Sequence, residues 1–501
     1  MKYSSLVLAL ATVCVSLLCG CQPPKKPVLA TSETSHTFAL GEDTWTFQVW
    51  DAGDAGTTLN VDVTSNQDYV TAVAAAGQST GPVDKVNVTV TINRVQFLKA
   101  NLSGRVQITS DGGDADVGVS FTATVDKFAL WTHGTRLRGA NISQRRVYPE
   151  LDGPTFMGSG KVGPPYSQED FNRLAALGAN YVNLSHPGLF TESAPYQLDT
   201  DVQANLDDMV AKAEAAGLYV VISARTGPER SEFTFERDLV PASYINDKVW
   251  TTQAAQDAWV AMWLYTANRY KTHANVIGFD LMVEPNSNAV LLNDYDPEHF
   301  YANYRNTLYD WNQFHPKIAA GIRSADPDTP ILVGGMSYAA ASWLPYLALT
   351  GQSRSVYLAH MYEPMNYSHQ DASPPRLTYP GRFDADEDGT SENVNKDWLA
   401  GQFDPIDQFQ TDHGVPVAVN EFGVHRFAPG GDKYLADMMD LLEQRGLNHA
   451  LWVFNTSYTE YAEVVDDFDF LHGSNANNHS NTGSALLDVI QNNWSQNGLR
   501  P

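Results

Sequence analysis

Two glutamates stand where they could carry out acid–base and nucleophilic chemistry together. Glu284 lies in Asp280-Leu281-Met282-Val283-Glu284-Pro285-Asn286, and Glu421 lies in Val417-Ala418-Val419-Asn420-Glu421-Phe422-Gly423. Each follows an apolar run typical of a buried strand and precedes a turn. Two carboxyl groups about 5–5.5 Å apart can cleave a glycosidic bond with retention, one as proton donor and one as nucleophile. The alternative is that each glutamate is a salt-bridging loop residue, but two at such positions favour the catalytic interpretation.

The elements that must bring these glutamates together form a repeated pattern from about residue 129. Eight apolar strand-like runs alternate with helical patterns, which is typical of parallel strands covered on both faces. Over roughly 370 residues this predicts an α/β fold, a (β/α)8 TIM barrel, with its active site at the carboxyl ends of the strands. An open doubly wound sheet is the alternative, but no glycine-rich phosphate fingerprint follows the first strand. The predicted strands are Leu137–Ile142, Tyr181–Ser185, Tyr219–Ala224, Val276–Met282, Ile331–Gly335, Val356–Tyr362, Val417–Phe422 and Ala450–Phe454, and the predicted helices are Ser167–Leu177, Val202–Ala216, Thr252–Tyr270, His299–Ile322 and Lys433–Arg445.

Several motifs extend the pattern to a known family. They are Leu137-Arg138-Gly139-Ala140-Asn141, Leu177-Gly178-Ala179-Asn180-Tyr181-Val182, the segment from Val276 to Asn286, His360-Met361-Tyr362, Val419-Asn420-Glu421-Phe422-Gly423 and Leu451-Trp452. In their order and spacing, residues 129–495 resemble the clan A glycoside hydrolases, most of all family 5, the cellulase and mannanase family.

The resemblance implies a role for five side chains. Glu284 would be the general acid/base and Glu421 the nucleophile. Tyr362 would hydrogen-bond the nucleophile, and His360 would lie near one of the two carboxyl groups. Trp452 would form the floor on which the sugar ring beside the scissile bond stacks.

The sequence also departs from the family pattern. The residue before the acid/base is usually Asn, and here it is Val283, with Asn286 three positions later. The second strand usually ends in Arg and here offers Asn183, while the third usually offers His and here offers Arg225. We hypothesise that Arg225 replaces the missing Arg. With Asn141 at the end of the first strand, these residues complete the predicted substrate contacts.

Residues 36–127 predict a separate all-β domain. Runs such as Val86–Ile92 alternate between apolar and polar residues, and the turn Asp111-Gly112-Gly113-Asp114 tolerates positive φ. The segment resembles the small immunoglobulin-like modules, such as the BACON type, that precede catalytic domains in bacterial carbohydrate-active lipoproteins. It is interpreted as a spacer, with sugar binding as the alternative. Residues 128–501 form the predicted hydrolase domain.

The first residues predict export and lipidation. A basic start at Lys2 precedes an apolar run, Leu6 to Leu18, which is too short for a membrane span of about 20 residues. Leu18-Cys19-Gly20-Cys21 resembles a bacterial lipobox, so residues 1–20 are predicted to be a signal peptide and Cys21 the lipidated residue. Residues 21–35 would be a linker. Simple secretion is the alternative. The only other cysteine of the sequence is Cys14. Because Cys14 and Cys19 would leave with the signal peptide, the mature chain would contain no disulfide.

One acidic loop predicts a possible structural calcium site. Asp384, Asp386 and Asp388 alternate before Gly389, as in the first half of a calcium loop. The twelfth position holds Asn395 where an EF-hand has glutamate, so the loop is not an EF-hand. A solvated acidic loop is the alternative. We expect catalysis itself to need no cofactor.

Charge restricts the partners. Lys plus Arg number 32 and Asp plus Glu 58, which gives a net charge of −26 and argues against a nucleic-acid partner.

The predicted function is that of a retaining glycoside hydrolase, an endo-β-glycanase acting on a β-glucan, mannan or related polysaccharide. We expect a monomer in the bacterial envelope, held to the membrane only by its lipid. The alternatives are a non-catalytic glycan-binding lipoprotein and a transglycosylase on the same barrel.

Overall fold

The computed structural model describes residues 24–39, 42–93, 101–122, 126–153, 160–235, 237, 240–454 and 466–501. These form two compact units, one within residues 24–122 and the other within residues 126–501. The predicted signal peptide and Cys21 lie outside the described residues. None of the helices in the described ranges combines the length and apolar character that a membrane span needs.

The first unit consists of two β-sheets. One has the strand order β1-β3-β7-β5 and the other the order β2-β9-β8-β4-β6. Alternate residues of β7, from Val86 to Ile92, are buried, as expected for strands with one face on a core. The strands are β1 Leu29–Thr31, β2 Ser35–Phe38, β3 Thr44–Asp51, β4 Leu59–Ser65, β5 Val70–Ala74, β6 Gln78–Ser79, β7 Val86–Ile92, β8 Asn101–Ser110 and β9 Ala115–Thr122.

The folded part of this unit begins before residue 36. Leu29–Thr31, which the sequence analysis assigns to the linker, pairs antiparallel with β3 as strand β1. Three residues are too few to show an alternating pattern, so only their pairing reveals the strand.

The second unit is a closed barrel of eight parallel strands, which confirms the predicted fold. The strands follow each other around the barrel in chain order, as β10-β13-β14-β15-β16-β17-β20-β21. Two short hairpins, β11 with β12 and β18 with β19, lie outside the barrel sheet. The strands are β10 Arg138–Ser143, β11 Arg145–Arg146, β12 Val162–Gly163, β13 Tyr181–Pro187, β14 Tyr219–Thr226, β15 Val276–Asp280, β16 Ile331–Gly334, β17 Ser355–Met361, β18 Gly381–Phe383, β19 Glu392–Val394, β20 Val417–Phe422 and β21 Asn448–Leu451.

Helices connect the barrel strands. The helix after the first strand begins with a capping box, in which Ser167 and Asp170 exchange side-chain and backbone hydrogen bonds. The α-helices are α1 Ala129–Thr132, α2 Gln168–Ala176, α3 Thr200–Ala215, α4 Gln253–Tyr270, α5 Ser287–Val290, α6 Pro297–Tyr304, α7 Trp311–Ala325, α8 Met336–Ala339, α9 Met365–Ser368, α10 Lys396–Gly401, α11 Asp404–His413, α12 Gly431–Gln444 and α13 Ala485–Trp494. Short 3-10 helices span Glu232–Thr234, Ala242–Tyr244, Lys248–Trp250 and Ala341–Tyr346.

The predicted single helix His299–Ile322 is wrong. The chain forms α6, leaves the helical conformation, and begins again as α7. Asn306 adopts a left-handed φ of 65°, and the Asp310 side chain accepts from the N–H of Asn312 as the cap of α7. The helical spacing of apolar residues continues through the break, so this spacing alone does not reveal that one helix ends and another begins.

The barrel interior changes character from one end to the other. At the amino ends of the strands it is filled by apolar side chains such as Tyr219, Ile277 and Leu332, and Trp131 covers this end and donates to the carbonyl of Ile277. Nearer the carboxyl ends the interior becomes polar, with Asn141 and Asn183 fully buried. The apolar half fixes the barrel and the polar half supports what lies above it.

Gly139 tests how tightly the first two barrel strands pack. A Cβ added there would lie 1.9 Å from the carbonyl oxygen of Tyr181 in the backbone of β13. Gly139→Ala should therefore lower the free energy of unfolding by at least ~2 kcal/mol, measured by urea denaturation. In Gly401→Ala, the control in α10, the added methyl meets nothing within 4 Å and should leave stability unchanged or raised. Equal stability of the two variants would contradict this packing.

Candidate active site

The carboxyl ends of the barrel strands surround one pocket of about 450 Å³. Glu284 lies four residues beyond β15, Glu421 lies within β20, and His360 lies near the end of β17. The chain therefore brings the two predicted catalytic glutamates to one cavity. The pocket is lined by Arg225, Phe235, Glu284, Ser337, Tyr338, Ala340, His360, Tyr362, Glu363, Met365, His369, Glu421, Trp452 and Phe468.

His360 lies between the two carboxyl groups. Its Nδ1 is 2.8 Å from Glu284 Oε1 and 3.4 Å from Glu421 Oε2. A ring nitrogen of His360 and one carboxylate oxygen each of Glu284 and Glu421 all lie within 4.8 Å of one another. A separation of this size fits the retaining geometry, whereas an inverting pair stands about 6.5–9.5 Å apart.

Tyr362 holds the same oxygen of Glu421 that His360 approaches. Its hydroxyl donates to Glu421 Oε2 at 3.2 Å, and its ring stands edge-on to Phe468. Within the described part of the chain, the other oxygen, Oε1, accepts no hydrogen bond although it is buried. One carboxylate oxygen is thus held while its partner keeps its lone pairs uncommitted.

Burial and mutual repulsion govern ionisation in the pocket. Burial raises the pKa of Glu421 to about 7, and the nearby Glu284 adds to the rise while His360 and Arg225 oppose it. Burial lowers the pKa of His360, but Glu421 and Glu284 outweigh it and raise that pKa to about 9. His360 is therefore a cation at neutral pH, and its proton occupies the space between the carboxyl groups.

Three of the predicted substrate contacts lie behind the pocket wall. Asn141, Asn183 and Asn286 are fully buried and do not line the pocket. Asn183 donates to Asn141, and Asn141 donates to the carbonyl of Asn420, beside the nucleophile. The prediction of direct contact is corrected, because these side chains complete a polar layer under the site.

Asn286 has a similar supporting position. Its amide donates to Thr234 Oγ1 at 3.1 Å, so it ties the loop after β15 to the loop after β14. It does not take the place of the asparagine that Val283 replaces, because its own side chain is fully buried and does not line the pocket.

Arg225 and Trp452 do lie in the pocket wall. The Arg225 guanidinium lies 4.1 Å from the Phe235 ring centroid and 5.6 Å from that of Trp452, and its Nε donates to Glu232. Its charge lowers the pKa of Glu421. Arg225 thus acts on the nucleophile through its charge, while Trp452 offers an aromatic surface at the end of β21.

Sequence reasoning missed several wall residues. Glu363 is a third carboxyl group in the pocket, with one oxygen accepting from the N–H of Tyr362 at 3.0 Å, and burial raises its pKa. The dipeptide Glu363-Pro364 directly after a strand repeats the pattern of Glu284-Pro285 and could have revealed it. Phe235 and Phe468 come from loops without a periodic pattern, so no such signal marks them.

Comparison with known proteins decides the family. The model of the cellulase family, glycosyl hydrolase family 5, matches residues 147–457, a range that contains both Glu284 and Glu421. The chain belongs to glycoside hydrolase family 5. The match confirms the family predicted from the motifs.

Relatives of this family 5 chain are distant in sequence. Endoglucanase C of Acetivibrio thermocellus is 22% identical over 342 residues, which cover 63% of this chain and 88% of the relative. Cellodextrinase A of Ruminococcus flavefaciens is 22% identical over 258 residues, which cover 51% and 68%. The crystal structure of the endoglucanase Cel5A from Thermotoga maritima superposes with a TM-score of 0.51 at 19% identity, covering 73% of this chain and 100% of that one.

The predicted calcium ligands of this family 5 chain gather with one further residue. Donor atoms of Asp384, Asp386, Asp388 and Glu392 lie within 4.8 Å of one another. Asn395, at the EF-hand's twelfth position, instead caps α10 by accepting from the N–H of Trp398. Glu392 is the fourth carboxylate of the group, and the sequence spacing did not identify it. Calcium binding stays a prediction.

Asp466, His472 and His479 also have side chains of the types that bind metals, and hydrogen bonds hold them together. Asp466 accepts from His472 and His479, each at 2.8 Å, and from Arg426 at 2.9 Å. The guanidinium beside Asp466 repels a cation, so we interpret this group as a tie that holds the loop carrying Phe468.

The charge of His360 can be tested through pH dependence. Glu421 attacks only as a carboxylate, and burial raises its pKa to about 7, so kcat/KM should fall below about that pH. His360→Asn removes the cation that favours the carboxylate, so the pKa of Glu421 rises further. The acidic limb of the kcat/KM profile, which the ionisation of Glu421 sets, should therefore move up by on the order of one pH unit. His413→Asn, at an exposed histidine of α11, is the control, and an unshifted His360→Asn profile would refute the assignment.

Proposed function

We propose that this chain is a retaining endo-β-glycanase that hydrolyses a β-linked glucan or a related neutral polysaccharide by double displacement. The observation that carries the proposal is the placement of His360 within 2.8 Å of Glu284 and 3.4 Å of Glu421, in a pocket walled by aromatic rings. Membership of family 5 and the printed names of the relatives, endoglucanase and cellodextrinase, support the substrate class.

In the first step Glu421 attacks the anomeric carbon and Glu284 protonates the departing oxygen. Glu421 acts here as a carboxylate: burial raises its pKa, while the charges of His360 and Arg225 and the hydroxyl of Tyr362 favour the ionised form. Tyr362 holds Glu421 Oε2, so Oε1 is the oxygen available for the new bond. The C–O bond to the leaving group breaks as the ester to Glu421 forms.

In the second step water replaces the ester. Glu284 gave its proton to the leaving oxygen in the first step and is now a carboxylate, and the neutral ester on Glu421 no longer repels its charge. Glu284 then takes a proton from water, which attacks the anomeric carbon and releases Glu421 as carboxylate. Two inversions at one carbon leave its configuration retained.

The pocket suits an uncharged ring. Trp452, Phe235 and Phe468 offer aromatic faces to the C–H faces of a sugar, and such contacts need no charge on the ligand. The net charge of −26 opposes a polyanionic substrate. A glycan-binding protein without activity would have no need of both carboxyl groups, whereas a transglycosylase would use the same pair.

The roles of the glutamates are separable by mutation. Glu421→Ala should reduce hydrolysis of β-glucan, mannan and xylan panels at least ~10⁴-fold, because the nucleophile is lost. Glu284→Ala should lose comparable activity on polysaccharide but keep kcat/KM on aryl glycosides whose leaving group needs no proton, while its kcat falls because the second step lacks its base. Glu298→Ala, at an exposed glutamate of α6, should behave as wild type.

Reducing-sugar assays and proton NMR of the first-formed anomer provide the readouts. Full activity of Glu421→Ala, or an inverted product, would refute the mechanism. Binding of a polysaccharide by the wild-type chain with no product from any of them would favour the binding-protein alternative.

We also propose that the chain is a monomeric lipoprotein held to the bacterial envelope through Cys21. The support is the motif Leu18-Cys19-Gly20-Cys21 after an apolar run that follows Lys2. The two-sheet unit within residues 24–122 then acts as a spacer of immunoglobulin-like or BACON type between the anchor and the hydrolase.

Lipidation predicts a simple fractionation result. The full chain, expressed in a Gram-negative host with labelled palmitate, should carry label and enter the membrane fraction. Cys21→Ala should lose both, because the lipid-bearing thiol is gone, whereas Cys19→Ala should keep both as the matched control. Label on the Cys21→Ala chain would refute the proposal.

A further inference from the structure

Glu284 adopts a backbone conformation that its residue type disfavours. Its φ is 53°, in the left-handed region where a side chain crowds its own backbone. Such a conformation persists only where the surrounding structure holds it. Because the carboxyl group reaches His360 from this backbone, whatever holds the backbone also places the proposed acid.

Arg230 holds the peptide groups on both sides of Glu284. Its guanidinium donates to the carbonyl of Val283 at 2.8 Å and to that of Glu284 itself at 2.7 Å. A third hydrogen bond, to the carbonyl of Arg225 at 3.0 Å, joins the same guanidinium to the end of β14. With both flanking peptides fixed, Glu284 cannot relax to an ordinary φ without breaking these bonds.

Arg230 is a costly residue for this position. It is fully buried, and among the described residues no carboxylate lies within ion-pair distance of it. Burial lowers its pKa to about 10, and its Nε makes no hydrogen bond in the described part of the chain. Besides these carbonyls the guanidinium meets the Phe235 ring, whose centroid is 5.0 Å away, and the more distant Asp247 favours its charge. A buried cation without a paired carboxylate is unfavourable, so its place here points to a compensating role.

A strained turn holds the other side of the same loop. Ser337, Tyr338 and Ala339 are all left-handed, with φ of 56°, 61° and 59°. The N–H of Tyr338 donates to the carbonyl of Pro285 at 3.1 Å. Glu284 therefore lies between two supports, one from the loop after β14 and one from the loop after β16.

We propose that Arg230 is a positioning residue for acid catalysis, which keeps Glu284 in its left-handed conformation so that its carboxyl group reaches the leaving oxygen. This inference rests on the proposed function. It assigns Arg230 no contact with substrate, because Arg230 lies behind the wall.

The dependence of rate on the leaving group tests this role. Aryl β-cellobiosides carrying a dinitrophenyl group leave without a proton, whereas those carrying a methylphenyl group need one. In Arg230→Met, kcat/KM should fall about 100-fold for the methylphenyl substrate and less than about fivefold for the dinitrophenyl one. The dinitrophenyl value divided by the methylphenyl value is the ratio that reports acid catalysis, and it should therefore rise at least about tenfold.

Arg323 provides the matched control. It lies in α7, toward the amino ends of the strands, and also donates only to carbonyls in the described chain, those of Asp326, Thr329, Ser353 and Arg354. Burial likewise lowers its pKa to about 10. Arg323→Met should lose stability while its ratio stays within about twofold of wild type.

Arg230→Lys separates position from charge and serves if Arg230→Met does not fold. Lysine keeps the cation but cannot span the three carbonyls, so its ratio should still rise. An equal loss on both substrates in either variant, or a ratio as in Arg323→Met, would overturn the inference. A wild-type chain inactive on both substrates would instead overturn the proposed function.

Discussion

The cation of His360, shared between the buried carboxyl group of Glu421 and the partly buried one of Glu284, is the interaction on which the rest of the site depends. Glu284 and Glu421 repel each other at the observed separation, and burial removes the water that would screen them. His360 Nδ1 within 2.8 Å and 3.4 Å of the pair offsets that repulsion. Without it the two groups would separate or both take up protons, and neither state would support double displacement.

The barrel holds the two carboxyl groups and His360 close together despite the repulsion between the carboxylates. The three side chains come from the loop after β15 and from β17 and β20, and the register of these strands is fixed by parallel pairing and by an apolar interior below. Between the apolar interior and the pocket lies a polar layer in which Asn141 and Asn183 bond to each other and to the carbonyl of Asn420. These hydrogen bonds give the buried amides of Asn141 and Asn183 partners inside the barrel.

Much of this could be predicted from the sequence, and the successes share a cause. Strands β13 and β20 are buried throughout, begin with apolar residues and carry polar residues toward their ends, so local pattern identifies both the element and Glu421. What failed depends on contacts between distant segments. Asn286 has the right type and place for a substrate contact, but its amide is bonded to Thr234, fifty-two positions earlier. The break after α6 is likewise set by a left-handed Asn306 within a continuing apolar period.

The central claim is that Glu421 becomes covalently attached to the sugar. An activated cellobioside with fluorine beside the anomeric carbon slows both steps, and its good leaving group lets the first step outrun the second, so the ester accumulates. Mass spectrometry of the digested protein should then find the sugar on the peptide containing Glu421 and fragment it to that residue. A sugar on Glu284 or Glu363, or no label on a chain that hydrolyses the unfluorinated analogue, would contradict the account.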